Sequence, residues 1–562
     1  MVRDSISESS DPTISSADLR LAWMPWVLPS VGDLFFVALF CLLVFTNLSS
    51  RLLGDAGIGW HIRTGQWILS SHRIPHFDPF SSSMNGRPWF AWEWLYDVLV
   101  GGLASLSGLK GVVVLTSLII ALTFWLAFRW LVGHGTNVLL ALILVLLATS
   151  ASMIHFFARP HVVSWLLTFV WFSILDSSEG DCVAAAGVKS EAYESKSSIY
   201  LWLLPLTILL WVNLHGGFLI GFVLLASYWA SALWHWLRAG EDRLSDLLLK
   251  IQAGRRVRRL TLVGIVSAAA TLVNPYGVRL YAHIYGYLSN CFLMDHIDEF
   301  QSPNFHYVAQ KCFAGLLLLT LVTLAAGHFE FKRISVSHGM MLLFAVYSGL
   351  YASRNIPISS LLLILVIGPR LSNETARLAN SYAEKRQRFG PAEFLRRMQK
   401  MELNLRGHLW PIAALVLTSW IVAHGGKFGA STVMHAQFSR KRFPVAAVDY
   451  IEQKNLKGPF FAPDYWGGYL IYRLYPRSKV VIDDRHDFYG EAFLRSYLKL
   501  MHVEPGWEEF LRQCPASYLV VPKNSAVANI LTESPEWRSI YHDEVANVFV
   551  PAQANLAQAN SE

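Results

Sequence analysis

Twelve apolar runs, each close to the length that crosses a membrane, limit the folds that this chain can adopt. They lie at 32–50, 91–107, 111–131, 137–155, 161–176, 199–213, 215–236, 259–274, 310–327, 335–350, 355–368 and 408–425. A helix that spans a hydrocarbon core of about 30 Å needs about 20 mostly apolar residues. Hydrophobic residues make up 53% of the chain and charged residues only 15%, which excludes a soluble globular protein. We therefore predict an α-helical polytopic membrane protein.

Two basic segments predict how these runs are oriented. Segment 238–259 carries seven Lys or Arg, and segment 369–407 carries nine against four Glu. Cytoplasmic loops are enriched in Lys and Arg, so we expect both segments in the cytoplasm, and the net charge of +7 reflects orientation rather than nucleic-acid binding. If the N-terminus is also cytoplasmic, an even number of crossings precedes 369–407. Eleven runs precede it, so one does not cross: either 91–107, which has two carboxylates in its first half, or the short 199–213. About 11 transmembrane helices are then expected.

This orientation places the unusual polar motifs on the outer face. They are the first loop (51–110), the Arg159-Pro160-His161 turn, the NLHGG turn at 213–217, the segment 274–309 and the Arg354-Asn355 turn. The charge rule does not impose this coincidence. We therefore predict a single extracytoplasmic site.

The chain divides into four predicted regions. They are a cytoplasmic tail at 1–30, a membrane domain at 31–427, a soluble domain at 440–551 and a tail at 552–562. Residues 1–30 contain no apolar core, so we expect no cleavable signal peptide. In the soluble domain, short apolar runs read as strands and alternate with helical patterns; the strands are at 458–462, 479–483, 517–521 and 547–550, and the helices at 444–454 and 490–513. We expect this small α/β domain outside the cytoplasm, because the preceding span leaves it.

The stretch from Gly54 to Leu95 is the strongest candidate for a site. It concentrates titratable side chains, tryptophans, Gly and Pro beside the first apolar run. Charged groups resist entering hydrocarbon, and such a concentration at one membrane boundary favours a site over a solvated loop with interfacial Trp anchors. Asp55 could act as a general base on an acceptor hydroxyl or amine. It could equally cap a helix that begins near Ile58.

The motifs GDAGIGWHIRTG (54–65) and RIPHFDP (73–79) resemble the first extracytoplasmic loop of the glycosyltransferase C superfamily. These integral-membrane enzymes use polyprenyl-phosphate-linked sugars. More narrowly, the chain is similar to uncharacterised bacterial membrane proteins related to the dolichyl-phosphate-mannose mannosyltransferases. The resemblance implies location in the plasma (inner) membrane, contact with membrane lipid, a polyprenyl-phosphate sugar donor and an acceptor still to be identified.

The resemblance also implies a role for Asp55 as catalytic base or metal ligand. Many members carry adjacent acidic residues or Asp-x-Asp at this place, whereas this chain reads Gly-Asp-Ala-Gly. A second carboxylate would have to be Asp78 or Glu93. A divalent cation, Mg or Mn, is therefore an open expectation, and the metal ligands stay unknown.

Ten further residues are predicted to bind substrate. They are His61, Arg63, Asp78, Glu93, Arg159, His161, His215, Asn274, Arg279 and Arg354. The arginines are expected to stabilise the lipid phosphate as it leaves as an anion, although an Arg at a membrane edge can also extend to lipid headgroups. His215 can equally be a hydrogen-bonded histidine between helices. In the superfamily, a loop comparable to that of Asn274 and Arg279 helps to form the donor site.

The soluble domain contains a charged cluster, Asp483, Asp484, Arg485 and Asp487, directly after a predicted strand. Functional loops often follow strands in α/β folds. We favour a structural ion-pair cluster that closes this domain over the membrane part. The predicted function is a membrane glycosyltransferase acting on an extracytoplasmic lipid, glycan or protein. The alternatives are a non-catalytic membrane scaffold and a lipid or glycan transporter with an external partner-binding domain.

Overall fold

The computed structural model describes residues 24–184, 199–240, 243–326, 334–384, 391–405, 407–514 and 516–553. Most of the two predicted tails lies outside these ranges. The helices are α1 (Met24–Val27), α2 (Val31–Phe45), α3 (Leu48–Leu52), α4 (Gly57–Ser71), α5 (Trp94–Ser107), α6 (Leu109–Gly133), α7 (Val138–Ser152), α8 (His161–Ala184), α9 (Leu203–Leu214), α10 (Leu219–Arg238), α11 (Leu244–Ala270), α12 (Arg279–Leu288), α13 (Cys291–His296), α14 (Val308–Ala326), α15 (Val336–Tyr351), α16 (Ile356–Glu384), α17 (Pro391–Asn404), α18 (Leu409–Ala423), α19 (Val445–Gln453), α20 (Asp464–Leu474), α21 (His486–Tyr489), α22 (Glu491–His502), α23 (Glu508–Gln513) and α24 (Ala526–Glu533). The strands are β1 (Lys427–Phe428), β2 (Ser431–Thr432), β3 (Phe460–Phe461), β4 (Tyr518–Pro522), β5 (Trp537–His542) and β6 (Ala546–Pro551).

In the described part of the chain, seven helical segments are long and apolar enough to cross a membrane. They are Met24–Phe45, Leu109–Gly133, Val138–His155, His161–Glu179, Gly216–Arg238, Val308–Ala326 and Ser353–Arg377. The bent pair α17 and α18 makes an eighth if it forms one span. Three shorter apolar helices, α5, α9 and α15, are about 18 to 24 Å long at about 1.5 Å per residue. The predicted class, a polytopic helical membrane protein with a C-terminal α/β domain, is confirmed.

The two runs expected to include the one that does not cross, 91–107 and 199–213, form two of these short helices, α5 and α9. Their lengths are below the thickness of a hydrocarbon core of about 30 Å. Which run fails to cross stays a prediction.

Both predicted basic loops are largely helical. Helix α11 has 27 residues, and its first 16 carry five of the seven basic residues of 238–259, while the part from Leu260 onward is apolar. Helix α16 continues through Pro369 to Glu384, and α17 follows in the same basic segment. Lys and Arg are good helix formers, so a cluster of positive charge does not end a helix.

Helix α4, which follows Asp55, packs against α5 on one side and against α20 of the C-terminal domain on the other. Glycines allow both approaches. A Cβ on Gly65 would collide with the carbonyl oxygen of Asp97 in α5, and a Cβ on Gly59 would collide with that of Gly468 in α20. Small residues let helix backbones come close together. Helix α4 therefore joins the membrane part to the C-terminal domain.

The C-terminal domain contains a four-stranded mixed sheet in the order β3-β4-β6-β5. Strand β3 is parallel to β4, and β6 is antiparallel to both β4 and β5. Three of the predicted strands correspond to β3, β4 and β6, and the predicted helix at 490–513 is divided into α22 and α23. Strand β5 is not predicted because it lies at the sheet edge, where its partly exposed residues form no apolar run.

The predicted strand at 479–483 instead connects this sheet to the first loop through isolated bridges. Val480 pairs with Phe460 of β3 and with Ser81 of the first loop. Its N–H donates to the carbonyl of Phe80 at 3.2 Å, and its carbonyl accepts from the N–H of Ser82 at 2.8 Å. The C-terminal domain is thus docked on the first loop by backbone hydrogen bonds.

Candidate functional site

Asp55 lies in the turn before α4, where its carboxylate has two partners. Its Oδ1 accepts a hydrogen bond of 2.8 Å from the backbone N–H of Gly57. The same oxygen lies 3.2 Å from Nε of Arg159. Ala56 is the N-cap residue of α4 and no side chain caps this helix, so Asp55 stabilises the turn before α4 rather than acting as its N-cap. Its side chain is also 25% exposed, which leaves it accessible to a reacting group.

Arg159 connects Asp55 to Asp484 of the C-terminal domain. Its Nη2 donates to Oδ2 of Asp484 at 2.7 Å. The indole N–H of Trp60 donates to the other oxygen, Oδ1, at 3.0 Å. A Cβ on Gly57 would collide with the Arg159 guanidinium, so the glycine at the start of α4 leaves the room that this pair needs. The first loop, the turn before α8 and the C-terminal domain meet here.

Burial and charge act in opposite directions on this cluster. Burial lowers the pKa of Arg159, but the carboxylates of Asp55, Asp484 and Glu299 raise that pKa above its ordinary value overall. Burial raises the pKa of Asp484, and Arg159 offsets only part of that rise. Because an arginine remains protonated across the physiological range, the cluster always contains a positive charge.

Glu93 lies between two of the predicted histidines. Its Oε2 is 3.8 Å from Nε2 of His61, and its Oε1 is 3.7 Å from Nε2 of His215. Burial raises the pKa of Glu93 to about 8. Burial also lowers the pKa of His215 to about 3 and that of His61 well below its ordinary value. At neutral pH the carboxyl group is therefore mostly protonated and both imidazoles are neutral.

Each imidazole is hydrogen-bonded on the side away from Glu93. His61 Nδ1 lies 2.5 Å from Oδ1 of Asp97, and its Nε2 faces Glu93. His215 Nδ1 accepts from the N–H of Gly217 at 3.0 Å, so its Nε2–H faces Glu93. Separations of 3.7 and 3.8 Å are longer than hydrogen bonds. The Glu93 carboxyl group can therefore accept another polar partner, such as a hydroxyl.

Arg354 pairs with Glu299, a residue that the sequence did not indicate. Its Nη1 lies 3.3 Å from Oε1 of Glu299, and its side chain is 28% exposed. Burial raises the pKa of Glu299, but the charges of Arg354 and Arg159 outweigh burial and lower that pKa to about 2. Glu299 therefore stays ionised. His161 lies in the same turn as Arg159, and its Nε2 is 2.8 Å from the carbonyl oxygen of His155.

Asp78 is buried against the C-terminal domain. Arg485 Nη1 donates to Oδ1 of Asp78 at 2.9 Å, and its Nη2 donates to Oδ2 of Asp483 at 2.6 Å. Tyr489 donates its hydroxyl hydrogen to the same Asp483 oxygen at 2.9 Å. The Arg485 guanidinium also lies 4.7 Å from the ring centroid of Trp89. Asp78 and Arg485 form an ion pair between the first loop and the C-terminal domain, as the structural interpretation of this charged cluster expected.

Arg63 also contacts the C-terminal domain. Its Nε donates to the carbonyl oxygen of Tyr472 at 2.9 Å, and its Nη1 donates to Oε1 of Gln66 at 3.1 Å. Tyr472 lies in the last turn of α20, where carbonyl groups carry partial negative charge. Its role toward a phosphate stays a prediction, and the contacts seen here dock the domain.

The side chain of Asn274 forms hydrogen bonds within the turn in which it lies. Its Nδ2 donates to the carbonyl oxygens of Thr271 and Gly277 at 2.8 and 3.2 Å, and its Oδ1 accepts from the N–H of Tyr276 at 2.8 Å. Arg279 begins α12 and is exposed to solvent. Their predicted place in a donor site stays a prediction.

Sequence reasoning missed two members of the site. Glu299 lies in a single helical turn, Asp298–Phe300, and its only sequence signal is its place in the predicted outer segment. Asp484 was interpreted as structural, and 325 positions separate it from Arg159. A second pair also joins the membrane part to the C-terminal domain, since Nε2 of His283 in α12 lies 3.1 Å from Oδ2 of Asp487.

The carboxylates that the resemblance offered as metal ligands do not fit a divalent-cation site. Asp55 is paired with Arg159 and Asp78 with Arg485. Glu93 has a raised pKa, so it is largely uncharged at neutral pH. Within the described ranges, His, Cys, Asp and Glu ligand atoms approach closely enough to hold an ion at one other place only, formed by Asp176, Glu179 and His338.

That second group lies far along α8 from Arg159 and is already hydrogen-bonded. Asp176 Oδ1 is 2.7 Å from Nε2 of His338, and Arg370 Nη2 donates to the other ring nitrogen at 2.9 Å. Two serine hydroxyls donate to the two oxygens of Glu179. Because both ring nitrogens and all the carboxylate oxygens that face the group have partners, it is a polar network that joins helices.

The fold resembles that of two solved structures. The crystal structure of the Archaeoglobus fulgidus oligosaccharyltransferase in the apo form matches with a TM-score of 0.53 and 13% identity, over 88% of this chain and 69% of that one. The chain has an oligosaccharyltransferase-type fold. The same archaeal enzyme, tethered by a disulfide bond to an acceptor peptide containing the NVT sequon, matches with a TM-score of 0.52 and 12% identity, over 87% and 68%. The sequence matches no protein-family model and no curated protein.

This likeness supports the glycosyltransferase C resemblance at the level of the fold. The narrower relation to the mannosyltransferase group stays a prediction.

Glu93 is expected to make the stability of the protein depend on pH. A carboxyl group with a pKa of about 8 when folded, against an ordinary 4.5, holds more protons in the folded state between these values. Stability therefore falls as pH rises through this window. The lowered pKa of His215 acts in the opposite sense, but only below its ordinary 6.5. Between pH 6.5 and 8 the Glu93 effect is about 2 kcal/mol.

Glu93→Gln tests this expectation, because glutamine keeps the shape and removes the titration. Thermal unfolding of purified protein in detergent at pH 6.5 and 8 measures it. The unfolding temperature of the wild type should be lower at pH 8 than at pH 6.5, and the difference should be smaller for the variant. A variant that loses as much stability as wild type would contradict the raised pKa of Glu93.

Proposed function

We propose that the protein is a membrane glycosyltransferase that moves a sugar from a polyprenyl-phosphate-linked donor to an acceptor outside the cytoplasm. The observation that carries the proposal is the setting of Asp55, a partly exposed carboxylate paired with Arg159 where the first loop meets the C-terminal domain. The chain around it has the oligosaccharyltransferase-type fold over 88% of its length. Asp55 is the proposed base.

In the proposed reaction, an oxygen or nitrogen of the acceptor attacks C1 of the sugar. The bond from C1 to the phosphate oxygen breaks, and the polyprenyl phosphate leaves as an anion. Asp55 accepts the proton that the acceptor loses, which requires hydrogen-bond reach of that group. A single displacement of this kind inverts the configuration at C1.

The leaving phosphate needs cationic groups where its charge develops. Arg354 is the best placed of the predicted arginines, because it is 28% exposed and has one ionic partner among the described residues, Glu299. A guanidinium also matches phosphate oxygens in pairs. Arg279, exposed at the start of α12, is the second candidate. We assign Arg63 to domain docking instead.

Glu93 is the proposed contact for a sugar hydroxyl. A protonated carboxyl group can both donate and accept a hydrogen bond. Its gaps of 3.7 and 3.8 Å to two imidazoles leave polar atoms available on each side. His215, with its Nε2–H turned to Glu93, offers a further donor to the same hydroxyl.

The acceptor and the location complete the proposal. The second solved structure carries an acceptor peptide, so a peptide is one class of acceptor to test beside lipids and glycans. We propose the plasma (inner) membrane, with the N-terminus cytoplasmic and the C-terminal domain outside, because the basic segments then face the cytoplasm.

Asp55→Asn is expected to reduce sugar transfer by at least about 100-fold, because asparagine keeps an oxygen for Gly57 but cannot accept the proton. Membranes from cells that make either protein at equal levels are supplied with radiolabelled polyprenyl-phosphate sugars and with peptide, lipid and glycan acceptors. Asp543→Asn is the matched control. Its carboxylate also accepts backbone N–H bonds in a turn, at 2.7 and 2.8 Å, but in the C-terminal sheet.

Equal transfer by wild type and Asp55→Asn would remove Asp55 from the mechanism. No transfer by wild type with any donor and acceptor would contradict the enzyme and favour the scaffold alternative.

A further inference from the structure

The guanidinium of Arg159 lies between two carboxylates that come from different parts of the chain. Its Nε is 3.2 Å from Oδ1 of Asp55 in the first loop. Its Nη2 is 2.7 Å from Oδ2 of Asp484 in the C-terminal domain. A side-chain cation therefore lies where two carboxylates face each other, beside the proposed base.

We propose that Arg159 supplies the positive charge that a divalent cation would otherwise bring to Asp55 and Asp484, so that this site works without a bound metal ion. The inference rests on the proposed function for its catalytic meaning. Its structural content, that the carboxylate pair binds no divalent cation while Arg159 is present, can be tested separately.

The carboxylate oxygens that a metal ion would need already have donors. Mg²⁺ and Mn²⁺ bind carboxylate oxygens at about 2.0–2.2 Å and need them free of other cations. Here the Asp55 oxygen that faces Arg159 also accepts the Gly57 N–H at 2.8 Å. The two Asp484 oxygens are engaged by Arg159 and by the indole of Trp60. A metal ion would have to displace these donors.

Arg159 also occupies the space and supplies the charge that a metal ion would. A Cβ on Gly57 would already collide with Nη2 of Arg159, so the guanidinium fills the gap between the carboxylates and the start of α4. A divalent cation beside the guanidinium would also be repelled by its like charge. Glu299, which stays ionised, adds to the negative potential that keeps Arg159 charged.

The pair of Arg159 and Asp55 also provides chemistry that suits the proposed reaction. A protonated guanidinium beside Asp55 keeps a fixed donor next to the proposed base, and it cannot dissociate as a metal ion can. Asp484 holds the far side of the same guanidinium. The docked C-terminal domain therefore supplies one of the two carboxylate contacts that position this charge.

Binding of Mn²⁺ tests the inference without an activity assay. Full-length protein in detergent is titrated with MnCl2, and the electron paramagnetic resonance signal of free Mn²⁺ reports binding. We expect wild type and Arg159→Lys to show no binding that depends on Asp55. Arg159→Ala removes the charge and opens the gap, so it should gain a site that Arg159→Ala with Asp55→Asn lacks.

Two results would overturn the inference. One is Mn²⁺ binding by wild type that Asp55→Asn abolishes, a measurement that does not depend on whether Arg159→Ala folds. The other is folded Arg159→Ala protein that binds no more Mn²⁺ than wild type. Sugar transfer by wild type should also persist with EDTA in excess. Loss of transfer in EDTA that Mg²⁺ restores would overturn the metal-free role, whereas absence of transfer under all conditions would count against the proposed function and leave the Mn²⁺ result intact.

Discussion

Arg485→Met is expected to destabilise the docked C-terminal domain by about 3–5 kcal/mol, the usual cost of removing one partner from a buried ion pair. Methionine fills much of the same volume but leaves Asp78 and Asp483 without a counter-charge. Both carboxylates are 0% exposed, and the Arg485 side chain is 2% exposed. A buried carboxylate that loses its cation must take up a proton or draw in water, and either change weakens the contact between the first loop and the domain.

Thermal unfolding in detergent and the rate of proteolysis measure this effect. Arg473→Met is the matched control, because Arg473 also pairs with two carboxylates, Asp449 and Glu452, at 2.9 and 2.7 Å. Those side chains are 51% and 32% exposed, and surface pairs contribute only about 0–1 kcal/mol. Equal losses of stability in the two variants would show that the buried Arg485 ion pairs stabilise the protein no more than the exposed Arg473 pairs.

The membrane class could be predicted because a bilayer imposes a length and a polarity on every crossing. Helix ends could not, since Lys and Arg continue a helix as readily as they begin a loop. The segment 238–259 therefore looked like a loop but lies largely in α11. Strand β5 has no apolar run, because an edge strand with partly exposed side chains needs none.

For the site, the sequence indicated the residues better than their partners. Asp55, Glu93 and Arg159 could be named because polar groups at a membrane boundary are costly without a role. Their contacts depend on which distant segments meet. The pairing of Asp484 with Arg159 follows from the docking of α20 on α4, and that docking depends on backbone approach at glycines, which no pattern of polarity reveals.

These contacts also show that two of the residues predicted to bind substrate contact the C-terminal domain. Asp78 and Arg63 both lie in the first loop, and both bind the C-terminal domain, one through Arg485 and the other through the carbonyl of Tyr472. The first loop both forms the candidate site and contacts the C-terminal domain, so some of its polar residues serve one role and some the other. The polarity of a residue in the sequence does not show which role it has.

Gly468→Ala is expected to separate α20 from α4 and to reduce sugar transfer strongly. The added methyl group would collide with the carbonyl oxygen of Ala56 and lie 2.6 Å from its carbonyl carbon. These are backbone atoms at the start of α4, and they cannot rotate away as a side chain can. The helices must move apart, which costs about 1–3 kcal/mol or more in a packed interior. Since Asp484 follows α20 in the same domain, its 2.7 Å contact with Arg159 should lengthen or break.

Helix propensity and the backbone collision predict opposite signs for the stability change of Gly468→Ala. Alanine is a better helix former than glycine by about 1 kcal/mol, so Gly468→Ala would stabilise a helix α20 that made no contact with α4. Gly286→Ala in α12 is the matched control, because a Cβ there meets nothing within 4 Å. The control should raise the unfolding temperature in detergent and keep transfer, while Gly468→Ala should lower both. A rise in unfolding temperature for both variants would mean that α20 and α4 are not in backbone contact, and the composite site of Asp55, Arg159 and Asp484 would lose its support.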